Sequence, residues 1–154
     1  MILEVCCGSA EDVWTAAGAG ADRVELNSAL FLGGLTPSVG AMTLARRAEL
    51  PIMAMVRPRE GGFCYTGAEF DTMLADTRAL LAAGADGIVF GCLHPDGTVD
   101  RARCAAMLSA IGDREQVFSR AIDVVPDWRA ALDVLMELGF TRVLTSGQAA
   151  SAPA

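Results

Sequence analysis

The chain has 154 residues, of which 53% are hydrophobic and 20% charged, and its formal net charge is −7. A sequence of this length and composition buries one sizeable core, which excludes an intrinsically disordered protein. The excess of acidic residues argues against binding to nucleic acids or to anionic membranes, because both are bound through an excess of Lys and Arg.

Short apolar runs and amphipathic segments alternate along the whole chain. Strands are predicted near residues 2–7, 22–27, 51–57, 86–91, 115–121 and 141–146, and helices near 9–19, 37–48, 67–83, 100–111 and 127–138. Several predicted helices begin with a capping signal. Pro37 suits the first turn of the second helix, and Asp100 suits the N-cap of the fourth. Thr66 and Glu69 have the spacing of a capping box before the third.

Strict alternation of strands and helices predicts parallel strands joined by right-handed crossovers. A six-stranded doubly wound sheet fits 154 residues, whereas a complete (β/α)8 barrel normally needs about 250 residues. Charged residues favour the barrel, since Glu4, Glu25 and Arg120 lie within predicted strands. Central strands of open sheets are usually apolar on both faces, while barrel strands direct polar residues towards an inner mouth. The pattern alone favours the barrel only slightly.

Seven sequence blocks carry a resemblance to a known family. They are "LEVCCGS", "GADRVELN", "GGLTPSVG", "MVRPR", "GADGIVFG", "RAID" and "GFTRVLTSG". In this order, from residue 2 to about residue 150, they resemble the copper homeostasis protein CutC family. The resemblance implies an α/β fold, a (β/α)8 TIM barrel, which here ends after its sixth strand with six strands and five helices. We therefore expect one incomplete barrel domain over residues 1–154, with a disordered tail at 148–154.

An incomplete barrel has two strands with an unpaired edge, and it exposes part of its core. Unpaired edges favour pairing with another chain, and exposed apolar patches favour association. We therefore expect a chain that is marginally stable alone or that forms a homodimer.

Copper is the metal that the family name implies. Cu(I) is a soft ion that favours thiolate and thioether ligands. The resemblance places one cysteine in the first strand, matched by Cys6, and often a second directly after the second strand, where this chain has Asn27. Cys64 and Cys92 follow the third and fourth strands, so we predict that they supply the missing thiol at the barrel mouth. The alternative is that these cysteines are small buried hydrophobic residues.

The cysteines also indicate a compartment. The chain has five of them and no CxxC motif, and the apolar start "MILEVCC" lacks the basic segment of a signal peptide. An odd number of cysteines without a secretion signal is typical of reduced thiols, which predicts a cytoplasmic protein.

An enzyme acting on a small anionic substrate is the alternative function. We assign Glu4, Glu25 and Asp123 to acid–base catalysis, since neighbouring carboxyl groups split their pKa values. The predicted substrate-binding residues are Arg57, Arg59, Arg120 and Ser146. The competing interpretation is that Glu4, Glu25 and Arg120 form an internal ion-pair network. Where the resemblance places a histidine before the "RAID" block, this chain has Ser119, so an imidazole base is not available there.

Overall fold

A computed structural model describes residues 1–149. The strands are β1 (Glu4–Cys7), β2 (Arg23–Leu26), β3 (Ile52–Met55), β4 (Gly87–Phe90), β5 (Glu115–Phe118) and β6 (Arg142–Val143). The α-helices are α1 (Ala10–Gly18), α2 (Val39–Ala45), α3 (Gly67–Ala82), α4 (Arg101–Ile111) and α5 (Trp128–Leu138). Short 3₁₀-helices lie at Leu30–Leu32, Arg46–Ala48 and Arg120–Val124. No helix in this part of the chain is both long enough and apolar enough to cross a membrane.

The sheet has six parallel strands in the order β1-β2-β3-β4-β5-β6. Each helix therefore returns the chain to the position directly beside the previous strand, and the sheet curls as part of a barrel. A doubly wound sheet would reverse its strand order at a switch point, and no reversal occurs in the described sheet. The predicted α/β TIM-barrel fold with six strands and five α-helices is confirmed.

Capping explains where several elements begin and end. Thr66 and Glu69 form the predicted capping box of α3, and the Asp100 side chain caps α4. The predicted role of Pro37 is wrong by two positions, because Ser38 caps α2 and the helix begins at Val39.

The fifth and sixth strands are shorter than predicted. β5 ends at Phe118, because the Ser119 hydroxyl accepts a hydrogen bond from the Ala121 amide and caps a 3₁₀-helix. β6 is reduced to Arg142–Val143. Residues 150–154 of the predicted tail lie outside the described range. Gln148, at its start, donates hydrogen bonds to Asp123 Oδ1 at 3.1 Å and to the Val125 carbonyl at 2.9 Å.

Alternation along the strands divides the core into two layers. The inner layer, inside the curled sheet, packs Met53, Met55, Val89 and Val117 with Leu144. The larger outer layer lies between the sheet and the helices and includes the fully buried Phe90 and Phe118.

A ring of four charged side chains lies at the amino-terminal end of the strands, below the inner layer. Arg23 pairs with Glu4 and lies 3.6 Å from Glu115 Oε1. Arg142 pairs with Glu115 and lies 2.7 Å from Glu4 Oε2. Because Arg142 belongs to β6 and Glu4 to β1, the ring connects the first and last described strands across the interior. We call these four residues the basal ring.

Candidate functional site: a cavity at the barrel mouth

A cavity of about 120 Å³ opens at the carboxyl ends of the strands. Each strand contributes a lining residue from its end or from the residues that follow it, namely Cys6, Glu25, Met55, Gly91, Ser119 and Leu144. Loop residues complete the wall, among them Asn27, Arg57, Tyr65 and Arg120. Active sites of TIM barrels lie at this end of the strands, so we call this space the mouth cavity.

Glu25 is the buried carboxyl group of the mouth cavity, with only 3% of its surface exposed. Its Oε1 accepts a hydrogen bond from Asn27 Nδ2 at 3.0 Å and a weak contact from the Cys6 thiol at 3.9 Å. Its Oε2 has no hydrogen-bond partner within residues 1–149. Burial raises the pKa of Glu25 above its ordinary value. The hydrogen bond from Asn27 lowers this pKa, and the negative charge of Glu4 raises it.

Asn27 places a second polar atom on the cavity wall. Its amide nitrogen is satisfied by Glu25, but Oδ1 has no partner in the described structure. Gly34, at φ +85°, provides the space for this side chain, because a Cβ at Gly34 would lie 2.3 Å from Asn27 Oδ1. Only a glycine therefore allows Asn27 its buried position.

Arg57 fixes the loops around the mouth cavity. Its guanidinium donates hydrogen bonds to the carbonyls of Leu32 at 3.1 Å, Gly34 at 3.3 Å and Gly61 at 2.6 Å. It also lies over the Phe63 ring at 5.0 Å. The remaining nitrogen, Nε, is buried and lacks a partner among the described residues. Most hydrogen-bond donors of the Arg57 guanidinium, which we predicted to bind an anion, are thus used to hold two loops.

The Tyr65 hydroxyl is the fourth buried polar atom without a hydrogen-bond partner among the residues that line the mouth cavity; the other three such atoms in residues 1–149 belong to Arg23 and Arg142 of the basal ring. Burial raises the pKa of this phenol, while the Arg57 and Arg59 guanidinium groups lower it. The hydroxyl lies so close to Arg57 that a side-chain contact between them also lowers the pKa of the phenol, although this contact does not have the geometry of a full hydrogen bond. We call Glu25 Oε2, Asn27 Oδ1, Arg57 Nε and Tyr65 OH the four unpaired atoms. All four belong to residues that line the mouth cavity.

Asp123 joins the loop after β5 to the loop after β6. Burial raises its pKa, but hydrogen bonds from the Thr145 hydroxyl, the Ser146 amide and Arg120 outweigh burial and hold the pKa well below the usual range. The distances are 2.6 Å from Thr145 Oγ1, 3.0 Å from the Ser146 amide and 2.9 Å from Arg120 Nε. Arg120 Nη2 also donates to Ser146 Oγ at 2.7 Å. A carboxylate held this way positions Arg120 and is a poor proton acceptor.

Four of the seven residues predicted for acid–base catalysis or substrate binding do not line the mouth cavity, namely Glu4, Asp123, Arg59 and Ser146. The β1–β2 register pairs Glu4 with Arg23 and Cys6 with Glu25, so Glu4 lies one layer below Glu25, in the basal ring. The two glutamates are therefore not brought together as an acid–base pair. Arg59 lies on the loop after β3, where its Nε donates to Glu69 Oε1 at 2.6 Å and its guanidinium stacks on Tyr65.

The three predicted thiol ligands lie in three different environments. Cys6 lines the mouth cavity, Cys64 is exposed on a loop, and Cys92 is buried beside Cys104 in the outer layer. Within residues 1–149, no group of three or more His, Cys, Asp or Glu side chains is arranged to hold a metal ion. Partial burial, followed by the nearby charges of Glu25 and Glu4, raises the pKa of Cys6 to about 11. The predicted trio of thiols therefore does not fit a single Cu(I) site.

The sequence did not lead us to assign Tyr65 or Met55 to the site. Asn27 was considered only because it occupies the position of a cysteine that is frequent in the family. Tyr65 had one local signal, because it directly precedes the N-cap Thr66, a position that often packs inwards. Met55 had none, since every residue of β3 is buried.

Comparison with known proteins identifies the family. The family model described as "CutC family" matches residues 1–154. The CutC family protein of Treponema denticola is 56% identical over 147 residues, which cover 95% of this chain and 60% of that protein. The human protein named "Copper homeostasis protein cutC homolog" is 43% identical, over 98% of this chain and 56% of that protein. The chain thus spans less than two thirds of the length of these relatives.

Solved structures agree with this result. The crystal structure of the putative copper homeostasis protein CutC from Streptococcus agalactiae superposes with a TM-score of 0.90 at 32% identity, over 97% of this chain and 75% of that one. A putative phosphonomutase from Burkholderia cenocepacia, at 24% identity and a TM-score of 0.68, shares the fold over 94% of this chain and 62% of its own. The chain belongs to the CutC family.

Proposed function

We propose that the mouth cavity binds a small organic anion and that Glu25 exchanges a proton with it. The observation that supports this proposal is that all four unpaired atoms belong to residues that line one cavity. A buried polar atom without a partner costs roughly 1–3 kcal/mol. Four such costs at one place are typical of a site whose ligand completes the hydrogen bonds.

The four unpaired atoms define the chemistry of the ligand. Asn27 Oδ1 accepts only, so it requires a donor, and ionised Glu25 Oε2 has the same requirement. Arg57 Nε donates only, and it requires an acceptor. A small carboxylate with a hydroxyl or amino group on the neighbouring carbon supplies both. The cavity volume of about 120 Å³ lies below the roughly 300–1,000 Å³ of pockets for drug-sized ligands, which favours a small ligand.

Proton exchange follows from the environment of Glu25. A carboxyl group with a raised pKa holds a proton at higher pH than a surface glutamate, which suits a general acid or base. A bound carboxylate raises that pKa further, since two negative charges oppose each other in a buried site. The proposed reaction class is proton transfer to or from the ligand, with Arg57 and Arg120 supplying positive charge at the cavity wall.

Glycolate and acetate test the proposed ligand chemistry, because only glycolate carries a hydroxyl beside the carboxylate. In an NMR-monitored titration, we expect glycolate to bind more tightly than acetate. Tyr65→Phe deletes one unpaired atom and keeps the ring, so the Kd for glycolate should rise roughly three- to tenfold without loss of folding stability. Equal binding of glycolate and acetate to the wild type, or equal glycolate binding by Tyr65→Phe, would contradict the proposal.

Copper handling is the second candidate, supported by the family and by two soft donors in the same cavity. The Cys6 thiol and the Met55 thioether both line the mouth cavity, and thiolate with thioether is a donor set that Cu(I) accepts. We propose that Cu(I) is cargo here rather than a resident cofactor. Cys6→Ala should then lower the Cu(I) stoichiometry by one per chain, and an unchanged stoichiometry would exclude this site.

A homodimer and a cytoplasmic location complete the proposal. β1 and β6 each have one neighbour in the described sheet, and Leu3, directly before β1, is 56% exposed. We expect sedimentation equilibrium to show a dimer, and Leu3→Lys to shift it towards monomer, because charge on an edge strand opposes pairing. A monomeric wild type at high concentration would contradict the dimer.

The exposed Cys64 thiol is consistent with a reducing compartment, which supports the proposed cytoplasmic location.

A further inference from the structure

The mouth cavity has a second polar side, away from the four unpaired atoms. Glu25 and Asn27 belong to the end of β2, and Arg57 and Tyr65 belong to the loop after β3. Arg120 lines the same cavity but follows β5, which lies two strands beyond β3 in the curled sheet. The cavity wall therefore presents polar groups on two sides, and one ligand can contact both.

Gly91 brings the loop after β5 to the cavity wall. A Cβ at Gly91 would lie 2.6 Å from the Ala121 Cβ and 2.7 Å from Ser119 Oγ, so a larger residue would push this loop away. The Ser119 amide donates a hydrogen bond to the Phe90 carbonyl at 2.7 Å, which fixes the start of the loop beside the end of β4. Arg120 is the next residue, so close backbone packing sets its position at the mouth.

Two hydrogen bonds orient the Arg120 guanidinium. Its Nε donates to Asp123 Oδ2 at 2.9 Å, and its Nη2 donates to Ser146 Oγ at 2.7 Å. The third nitrogen, Nη1, has no hydrogen-bond partner in the described part of the chain. The side chain is 52% exposed and lines the cavity, so it belongs to the rim. A guanidinium anchored along one edge is pre-organised to bind a ligand with its free edge.

Asp123 anchors Arg120 without fully neutralising it. The Asp123 carboxylate also accepts hydrogen bonds from the Thr145 hydroxyl at 2.6 Å and from the amides of Ser146 at 3.0 Å and Gln148 at 3.1 Å. The dipoles of these donors stabilise part of its negative charge. Positive potential therefore remains at the free edge of the Arg120 guanidinium.

We infer that Arg120 binds a second anionic group of the ligand. This inference rests on the proposed function, because it assigns the other end of the same molecule. The planar guanidinium edge matches the geometry of a carboxylate or a phosphoryl group. Glu25, Asn27 and Arg57 hold the hydroxy-carboxylate end inside the cavity, while the second anionic group lies at the rim. The ligand class is a short hydroxy acid with an anionic group at each end.

NMR-monitored titrations with matched ligand pairs test this assignment. Malate and α-hydroxybutyrate share a hydroxyl beside one carboxylate, and only malate carries a second carboxylate. The pair 3-phosphoglycerate and glycerate differs in the same way by a phosphoryl group. We expect the wild type to prefer the ligand with the second anionic group by about tenfold or more in one of the pairs, because charge-assisted hydrogen bonds are strong. The pair that shows the preference identifies the second group as carboxylate or phosphoryl.

Variants at the rim assign this preference to Arg120. Arg120→Met should reduce it to less than about twofold, and Ser146→Ala, which removes one anchor, should reduce it in part. The preference is a ratio of two affinities, so a general loss of structure, which weakens both ligands, does not reproduce this result. Arg101→Met removes an arginine that pairs with Glu137 on the surface, and this matched control should keep the full preference.

Three outcomes would overturn the assignment. If α-hydroxybutyrate binds but neither pair shows a preference, this inference fails and the proposed function stands. If the preference persists in Arg120→Met, another group holds the second anion and the inference fails. If neither glycolate nor α-hydroxybutyrate binds, the proposed function and this inference fail together.

Discussion

Replacing Glu25 by glutamine should raise the free energy of unfolding at pH 7 by about 1 kcal/mol or more, and should remove the pH dependence of glycolate binding, because glutamine resembles the protonated carboxyl group. The wild-type carboxylate is buried, and its Oε2 has no partner within the described chain. Glutamine keeps the acceptor for Asn27 and removes the charge. The gain in stability distinguishes a ligand site from a structural ion pair, whose loss would lower stability.

The effect of Glu25→Gln on stability has a defined pH dependence. Because burial raises the pKa of Glu25 in the folded state, the wild type is most favoured below the unfolded pKa of about 4.3. That advantage is lost as the pH rises through the folded pKa. The gain from glutamine should therefore be absent at low pH and grow towards neutral pH.

Urea unfolding from pH 4 to pH 8 measures this dependence, with Glu60→Gln at an exposed position as the matched control. The control should change stability little across the range. A Glu25→Gln variant that is less stable than the wild type at pH 7 would show that the carboxylate is held by ionic partners, and would contradict the account of the mouth cavity.

Replacing Arg142 by methionine should lower the free energy of unfolding by about 2–3 kcal/mol. Arg142 contacts both carboxylates of the basal ring, so its loss leaves Glu4 and Glu115 with Arg23 as their shared cation. The ring side chains are 18–30% exposed. Because solvent screens their charges, the expected loss in free energy of unfolding is smaller than for a fully buried ion pair. The ring also ties β6, only two residues long, to β1.

Arg101→Met is the matched control for the basal ring. Arg101 pairs with Glu137 on the surface, where both side chains are more than half exposed. Its replacement should change stability by no more than about 0.5 kcal/mol, and arginine and methionine have similar helix propensity. Equal effects of Arg101→Met and Arg142→Met on urea unfolding would show that the basal ring does not hold the strands together.

The fold was predictable because its signals are local. Alternating apolar runs, the Thr66–Glu69 capping box and the Asp100 cap lie within a few residues of the elements they define. Strand ends were harder to predict, because the 3₁₀-helix at Arg120–Val124 depends on the Ser119 hydroxyl rather than on hydrophobicity. A β-rich composition cannot distinguish that short helix from a continued strand.

The candidate site was only partly predictable, because its composition depends on strand register. Glu4 and Glu25 are the third and fourth residues of their predicted strands, 2–7 and 22–27, yet the register puts Glu4 opposite Arg23. No local pattern encodes that offset. Cys92 shows a second limit, since all residues of β4 are buried and its alternation is not visible in the sequence. The cavity side and the helix side of that strand become distinct only in the folded sheet.

The measurement that tests the mouth cavity most directly is a ¹³C NMR pH titration of the glutamate carboxyl groups, with and without glycolate. Glu25→Gln identifies the Glu25 signal by its loss. We predict that Glu25 titrates above the ordinary glutamate pKa of about 4.3, and that glycolate raises its pKa further. A Glu25 carboxyl group that titrates at the ordinary value and does not respond to glycolate would contradict the account.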